Sequence, residues 1–137
     1  MTDGENPRAS KAAPEAGEPA IDWAYLSRQT IGDVALEDEL LTLFEAQAAE
    51  FGGKLAAAAS HKARLDLVHT LKGAARAIGA VALGDAAEDY ETALAQARET
   101  EARGADTGAR DTTDRLEALG ARLGEARQAI SARLQHL

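Results

Sequence analysis

Three residues within about one turn of a predicted helix have side chains suited to phosphate chemistry. His69, Lys72 and Gly73 lie in the segment VHTLKGAARAIGA, residues 68–80. A neutral imidazole nitrogen is a nucleophile, and a lysine ammonium attracts anions. Gly73 lies four residues after His69, where a side chain would lie against the imidazole, so the glycine leaves open space beside the ring. The set indicates a histidine that a large, anionic partner can reach.

The remaining residues of this helix indicate which way the histidine points. Residues advance by about 100° around a helix axis, which places an apolar stripe within about 60° of Leu71. The stripe consists of Leu67, Val68, Leu71, Ala74, Ala75 and Ile78. His69 lies about 160° from Leu71, and Gly73 lies on the same outward side. The pattern predicts a helix that packs on its Leu71 face and exposes His69.

Other side chains near this outward face are candidates for contacts with a partner. Leu65 and Arg76 flank the same side of the helix, and Arg76 adds a second positive charge near His69. Leu41, on the preceding predicted helix, lies about 100° from the centre of an apolar stripe. We expect Leu41 to join Leu65 in a docking patch, with a half-buried core position as the alternative. The stripe in question consists of Leu36, Leu40, Leu43, Phe44, Gln47, Phe51, Leu55 and Ala58.

The two other histidines do not suggest a metal site. His61 lies eight residues before His69 and roughly 80° around the helix, and His136 is close to the C-terminus. These histidines are far apart, and no carboxylates converge with them in the pattern of a metal site. We expect both His61 and His136 to be solvated and no metal to bind.

The chain divides into a tail and one helical domain. Pro7, Pro14 and Pro19 are the only prolines, and Gly, Ala, Glu and Ser residues fill the space between them. This composition predicts a disordered tail over residues 1–20. Residues 21–137 are rich in helix-forming alanine, leucine, glutamate and arginine, and they lack the alternating β-branched runs of strands. The sequence therefore predicts an all-α domain.

Five helices are expected in this domain. They span residues 22–30, 34–58, 61–78, 81–102 and 112–134. Asp33 and Ser60 are the predicted N-caps of the second and third helices, and Gly79 is expected to end the third. Gly52 and Gly53 weaken the second helix, so the alternatives there are a kink and an early end of the helix. Four long helices with short connections favour an antiparallel up-down four-helix bundle, with the short first helix covering one end.

Charge and composition exclude several classes of function. The formal net charge is −8 and the pI is about 4.8, which argues against binding to nucleic acid or to an anionic membrane surface. The absence of cysteine excludes a disulfide framework and a thiolate zinc site. No stretch approaches the roughly 18 apolar residues of a membrane span, and the N-terminus lacks the apolar core of a secretory signal. We expect a cytoplasmic protein.

The segment around His69 resembles the active-site helix of histidine-containing phosphotransfer (HPt) domains. The signature of that helix is roughly His-x-Leu-Lys-Gly, followed by small residues and a Leu/Ile-Gly pair. The segment GDVALEDELLTLFEAQ, residues 32–47, resembles the helix that precedes it in the family, and the resemblance extends over about residues 23–97. Serine is common in the family where this chain has Ala74 and Ala75. The matching positions are His69, Leu71, Lys72, Gly73, Ala74, Ala75, Ile78 and Gly79.

The resemblance implies a four-helix bundle that accepts a phosphoryl group on a histidine and exchanges it with an aspartate of a receiver domain. His69 matches the phosphorylated position, Lys72 matches a basic residue that favours the phosphoryl group, and Gly73 matches the small position that gives access. The implied partners are receiver domains of response regulators and of hybrid histidine kinases. No cofactor is expected on this chain, because the receiver would bring the Mg²⁺.

Two alternatives to a relay protein stay open. One is a structural helical adaptor that keeps the bundle without phosphotransfer, and the other is a detached phosphoryl-accepting domain of a chemotaxis-type kinase. The sequence has no P-loop or kinase-type glycine loop, so no autokinase activity is expected. The heptad-like apolar spacing of the fifth helix is interpreted as bundle core and not as a dimer interface, which predicts a monomer.

Overall fold

A computed structural model describes residues 19–102, 104 and 108–135 of the 137-residue chain. Within these ranges the chain forms five helices and no strand. They are α1 (Trp23–Gln29), α2 (Val34–Ala57), α3 (His61–Ala77), α4 (Val81–Ala102) and α5 (Gly108–Leu134). The predicted tail lies outside the described part of the chain except for its last two residues, and His136 lies outside it as well.

The four long helices form a bundle, and α1 packs beside α2 at one end. Helix α3 packs against α2 and α4, and α5 closes the bundle by packing against α4 and α2. The all-α fold, with an antiparallel four-helix bundle and a short extra N-terminal helix, is confirmed. The largest fully buried side chains of the core are Ile21, Leu26, Leu41, Val68, Leu71, Leu83, Tyr90, Leu119 and Ile130.

Side-chain caps begin the first three helices. The carboxylate of Asp22 accepts a hydrogen bond from the backbone N–H of Tyr25 at 3.0 Å, which caps α1. Asp33 and Ser60 cap α2 and α3 in the same way, at 3.1 and 3.0 Å, as the sequence predicts. Each cap satisfies one of the backbone N–H groups that a helix leaves free at its start. These caps therefore mark the residues at which α2 and α3 begin.

Gly79 ends α3 and brings the chain segment before α1 close to the α3–α4 turn. Its φ is +85°, a left-handed conformation that glycine adopts readily. The backbone N–H of Asp22 donates to the carbonyl of Gly79 at 2.8 Å. A Cβ atom at this position would lie 2.9 Å from the Asp22 carbonyl oxygen. Only glycine therefore permits both the turn and the close approach that hold α1 at this end of the bundle.

The rotation of α2 about its axis differs from the one that the sequence suggests. Leu41 is fully buried, whereas Leu43 is 62% exposed and Leu36 is 39% exposed. The prediction that Leu41 belongs to a docking patch is therefore wrong, and so is the placement of Leu36 and Leu43 in the core. Gly52 and Gly53 do not interrupt this helix, which continues to Ala57. The residues that α2 buries are Glu37, Leu41, Phe44, Ala48, Phe51 and Leu55.

A buried carboxylate lies on the face that α2 turns toward the core. Glu37 is only 6% exposed, and it lies on the same stripe as Leu41. It accepts hydrogen bonds from the hydroxyl of Thr30 at 3.0 Å and from the guanidinium of Arg133 at 2.7 Å. A buried charge is tolerated where it is paired and hydrogen-bonded. Contacts from α5 and the α1–α2 turn thus allow a glutamate on the buried face of α2, where helical spacing alone leads one to expect an apolar residue.

Two further findings concern the start of α5 and the apolar character of the helices. Helix α5 begins at Gly108, four residues before the predicted start at Thr112. None of the helices in the described part of the chain combines the length and the apolar character that crossing a bilayer requires.

The rotation of α2 predicts a large difference between two neighbouring leucines. We expect Leu41→Ala to lower the free energy of unfolding by about 2–5 kcal/mol, because it empties a fully buried site. Leu43→Ala should change it by no more than about 0.5 kcal/mol, because that side chain is mostly exposed. Urea denaturation of both variants measures the two values. Equal losses, or a larger loss for Leu43→Ala, would show that α2 is rotated otherwise.

Candidate functional site

His69 lies on the outer face of α3, as the sequence predicts. Its side chain is 70% exposed, while Val68, Leu71 and Ala75 of the same helix are fully buried. These buried side chains attach α3 to the bundle along its opposite face. The imidazole is therefore held on a rigid helix and is accessible to a partner from solvent.

A glutamate of α4 holds both His69 and Lys72. The Oε2 atom of Glu91 lies 3.1 Å from Nδ1 of His69, and the Oε1 atom lies 2.7 Å from Nζ of Lys72. An ionised carboxylate has no hydrogen to donate, so the hydrogen bond to His69 requires a proton on Nδ1. In the neutral imidazole, Nε2 is then the nitrogen with a free lone pair. The contact thus leaves Nε2 as the ring nitrogen that is able to act as a nucleophile.

The surroundings of Glu91 favour its ionised form. Burial raises the pKa of the Glu91 carboxyl, but the hydrogen bonds from Lys72 and His69, with their charges, outweigh it and hold the pKa below its ordinary value. The carboxylate side chain is 24% exposed and the Lys72 side chain 19%. The contact between Lys72 and Glu91 is therefore partly protected from solvent screening.

Glu91 was not among the site residues that the sequence predicts. It lies between residues that suggest only the buried stripe of α4, and no motif marks it. A weak signal was present, because Asp85, Glu88 and Glu91 recur every three residues along one side of α4. This acidic series faces the basic residues of α3, but the pairing between two helices depends on their rotation, which the spacing alone does not reveal.

Arg76 faces α4, and its guanidinium pairs with two carboxylates of that helix. Its guanidinium binds Asp85 at 3.2 Å and also pairs with Glu88. Gly84 permits this arrangement, because a Cβ atom there would lie 2.8 Å from Cγ of Arg76. The stem of the arginine therefore lies against the backbone of α4. Its role in partner binding stays a prediction, but in this structure it joins α3 to α4.

The remaining candidates differ in their exposure. A Cβ atom added to Gly73 would meet no heavy atom within 4 Å, in agreement with the open space expected there. Leu65 is half-buried and packs against the core, so only part of its side chain could contact a partner. Leu41 lies in the core and has no accessible surface. The structure thus brings together His69, Lys72 and Gly73, and it removes Leu41 from the set.

Metal ligation finds no support in the part of the chain that the structure describes. No three histidine or acidic side chains there are grouped in a way that could hold an ion. The arrangement is suited to nucleophilic chemistry, because Nε2 of His69 has an available lone pair and Lys72 supplies a positive charge close by.

Comparisons with known proteins agree with this geometry. Residues 39–129 match the model of the family described as Hpt domain. The chain is 34% identical to histidine phosphotransferase ShpA from Caulobacter crescentus, and the alignment with its crystal structure covers 85% of this chain and 92% of ShpA, with a TM-score of 0.58. No curated protein matches the chain.

The lowered pKa of Glu91 predicts a pH-dependent contribution to stability. The ionised carboxylate stabilises the fold above the ordinary glutamate pKa of about 4.3, and this contribution is lost as the pH falls through the lower pKa of the folded state. We expect Glu91→Gln to lower the free energy of unfolding by about 1 kcal/mol at pH 7. At a pH below the pKa of Glu91 in the folded state, the substitution should leave that free energy unchanged. Denaturant unfolding of the parent protein and of Glu91→Gln, from pH 7 down to below that pKa, measures the difference.

A matched control is Glu50→Gln. Glu50 forms an exposed pair with Lys54, and its side chain is 65% exposed. Its loss should cost no more than about 0.5 kcal/mol. A Glu91→Gln difference that stays constant with pH, or that equals the control, would contradict a charged contact at Glu91.

Proposed function

The chain belongs to the Hpt domain family, whose members act in phosphorelays, and on that premise we propose that it carries a phosphoryl group on His69. The group would be exchanged with the phosphorylated aspartate of a receiver domain, in a response regulator or a hybrid histidine kinase. The observation that carries this proposal is the contact of Glu91 with both His69 and Lys72, because it orients the nucleophile beside a positive charge. The location that we propose is the cytoplasm, and the proposed state is a monomer.

The transfer step follows from the position of the proton on Nδ1. The lone pair of Nε2 attacks phosphorus, a new N–P bond forms, and the bond from phosphorus to the aspartate oxygen breaks, so that the carboxylate leaves with the electron pair. The proton on Nδ1 stays in place and the ring gains positive charge. Glu91 stabilises that charge, as a carboxylate does for the histidine of a catalytic triad.

Lys72 offsets charge on the phosphoryl group. One of its ammonium hydrogens is donated to Glu91, and the remaining donors are free to turn toward phosphoryl oxygens. Glu91 therefore keeps Lys72 beside His69 before the partner arrives, which lowers the cost of ordering the lysine during transfer. The receiver would supply the aspartate and Mg²⁺, so this chain needs no cofactor of its own.

We place receiver docking on the flank of α3 that faces α2. Thr70, which follows His69, lines a groove of about 590 Å³ together with Leu67 of α3 and with Gln47 and Phe51 of α2. Leu43 lies one turn before Gln47 on the same side of α2, and it is 62% exposed. On the opposite flank, acidic side chains of α4 form ion pairs with the basic side chains of α3. An apolar surface of a receiver thus fits the α2 side better.

The direct test uses a purified receiver domain carrying labelled phosphate on its aspartate. We expect label to reach the protein, no label in His69→Gln, and no label when the protein is incubated with ATP alone. Absence of label in the parent protein, or label that persists in His69→Gln, would refute the proposal and favour a structural adaptor. Transfer from a kinase catalytic fragment but from no receiver would favour the detached kinase domain.

Gly73 provides a test of steric access. We expect Gly73→Leu to slow transfer from the receiver at least about tenfold, because the new side chain lies one turn from the imidazole. Gly120→Leu is a matched control, because a Cβ atom meets nothing within 4 Å at either glycine. Both variants should remain helical by circular dichroism. Equal rates for the two variants would remove the steric role of Gly73.

Leu43 provides a test of the docking flank. We expect Leu43→Asp to slow transfer from the receiver at least about tenfold, and to leave chemical phosphorylation of His69 by phosphoramidate unchanged, because only docking is lost. Val81→Asp is the control, because Val81 is 57% exposed on α4. Unaltered receiver transfer in Leu43→Asp, or an equal loss in Val81→Asp, would place docking elsewhere.

A further inference from the structure

A second cavity lies at the end of the bundle where α3 begins. Its volume is about 420 Å³, and its walls come from the α2–α3 connection, the first turns of α3 and α5, and the last turns of α4. Alanines and Leu94 form the apolar part of the wall, and the basic side chains of His61, Arg64 and Arg98 line the same space. His61 is half-buried and lines this space, so it is less exposed than a fully solvated side chain.

Arg64 stands apart from the other arginines of similar burial. Four arginines in the described ranges are half-buried, and three of them meet a carboxylate: Arg122 at 3.0 Å, Arg127 at 2.7 Å and Arg133 at 2.7 Å. Arg64 has no hydrogen bond or ion pair from its side chain to any part of the chain that the structure describes. The half-buried stem of Arg64 thus carries a guanidinium that no described carboxylate binds, which leaves it available to an anion from outside the chain.

The described residues around the cavity carry a positive net charge, although the chain as a whole is acidic. Among those that line the space, Arg64 and Arg98 contribute two positive charges and Glu101 contributes one negative charge. The start of α3 forms part of the wall, and helix N-termini favour anions through their free N–H groups. In a chain of net charge −8, this is a local concentration of positive charge.

The cavity is separate from the histidine that would carry the phosphoryl group. His61 precedes His69 by eight residues, which is about 12 Å along the axis of α3. Neither His69, Lys72 nor Glu91 lines it. A ligand bound here is therefore distinct from the phosphoryl group that the Hpt site would exchange.

We propose that this cavity binds a small organic phosphate. Guanidinium groups bind phosphate through paired, charge-assisted hydrogen bonds, which suits Arg64 and Arg98. The alanines and Leu94 offer an apolar surface for the organic body, and a volume of about 420 Å³ lies within the range of small-molecule sites. Inorganic phosphate alone would use the arginines but leave the apolar wall uncovered.

Adenosine monophosphate and adenosine are suitable probes, because they differ only in the phosphate. Each is titrated into the full chain at low ionic strength, where charge contacts are least screened, and amide chemical shifts are followed by NMR. We expect saturable shifts at Ser60, Arg64 and Arg98 with the phosphate and none with adenosine. Arg64→Ala and Arg98→Ala should each weaken binding by about tenfold.

Two control variants make the outcome decisive. Arg28→Ala removes the same charge from an exposed residue of α1 and should bind as the parent does. His69→Gln should also bind unchanged, so this test is independent of phosphorelay activity. Absence of saturable shifts, equal binding of adenosine, or an equal loss in Arg28→Ala would overturn the proposal. Arg98 lies at the exposed rim, so its variant remains informative if Arg64→Ala does not fold.

Discussion

The carboxylate of Glu91 connects the two helices that form the site. It lies 3.1 Å from Nδ1 of His69 and 2.7 Å from Nζ of Lys72, so one group on α4 positions two groups on α3. Without it, an exposed imidazole on a helix surface would sample several rotamers and both tautomers. The rest of the bundle holds α4 at the distance from α3 where this contact forms.

The interface between α3 and α4 is built to keep that distance. Gly84 lets the stem of Arg76 lie against α4, and Asp85 binds its guanidinium, so the two helices are joined on the same side as the site. On the other side of α3, Leu71 and Ala75 are fully buried. The helix is thus fixed on its inner face and along one flank. The flank toward α2 carries the groove where we propose that a receiver docks.

The helical spacing of apolar residues in the sequence is sufficient to predict the fold and the side of α3 on which His69 lies. The apolar stripe of α3 lies opposite the histidine, and no distant residue alters that relation. The rotation of α2 could not be obtained in the same way. Glu37 interrupts the stripe that contains Leu41, and the Arg133 contact that makes its burial tolerable comes from α5, 96 residues away. The role of Glu91 could not be obtained from the spacing for a similar reason, because its partners lie 19 and 22 residues before it on another helix.

The tautomer of His69 tests the central claim most directly. Nitrogen-15 NMR of the imidazole, at a pH where the ring is neutral, distinguishes a proton on Nδ1 from one on Nε2. The contact with Glu91 predicts the Nδ1–H form in the parent protein, a mixture in Glu91→Ala, and phosphorylation on Nε2. A parent protein with the proton mainly on Nε2, or a phosphoryl group on Nδ1, would contradict the account.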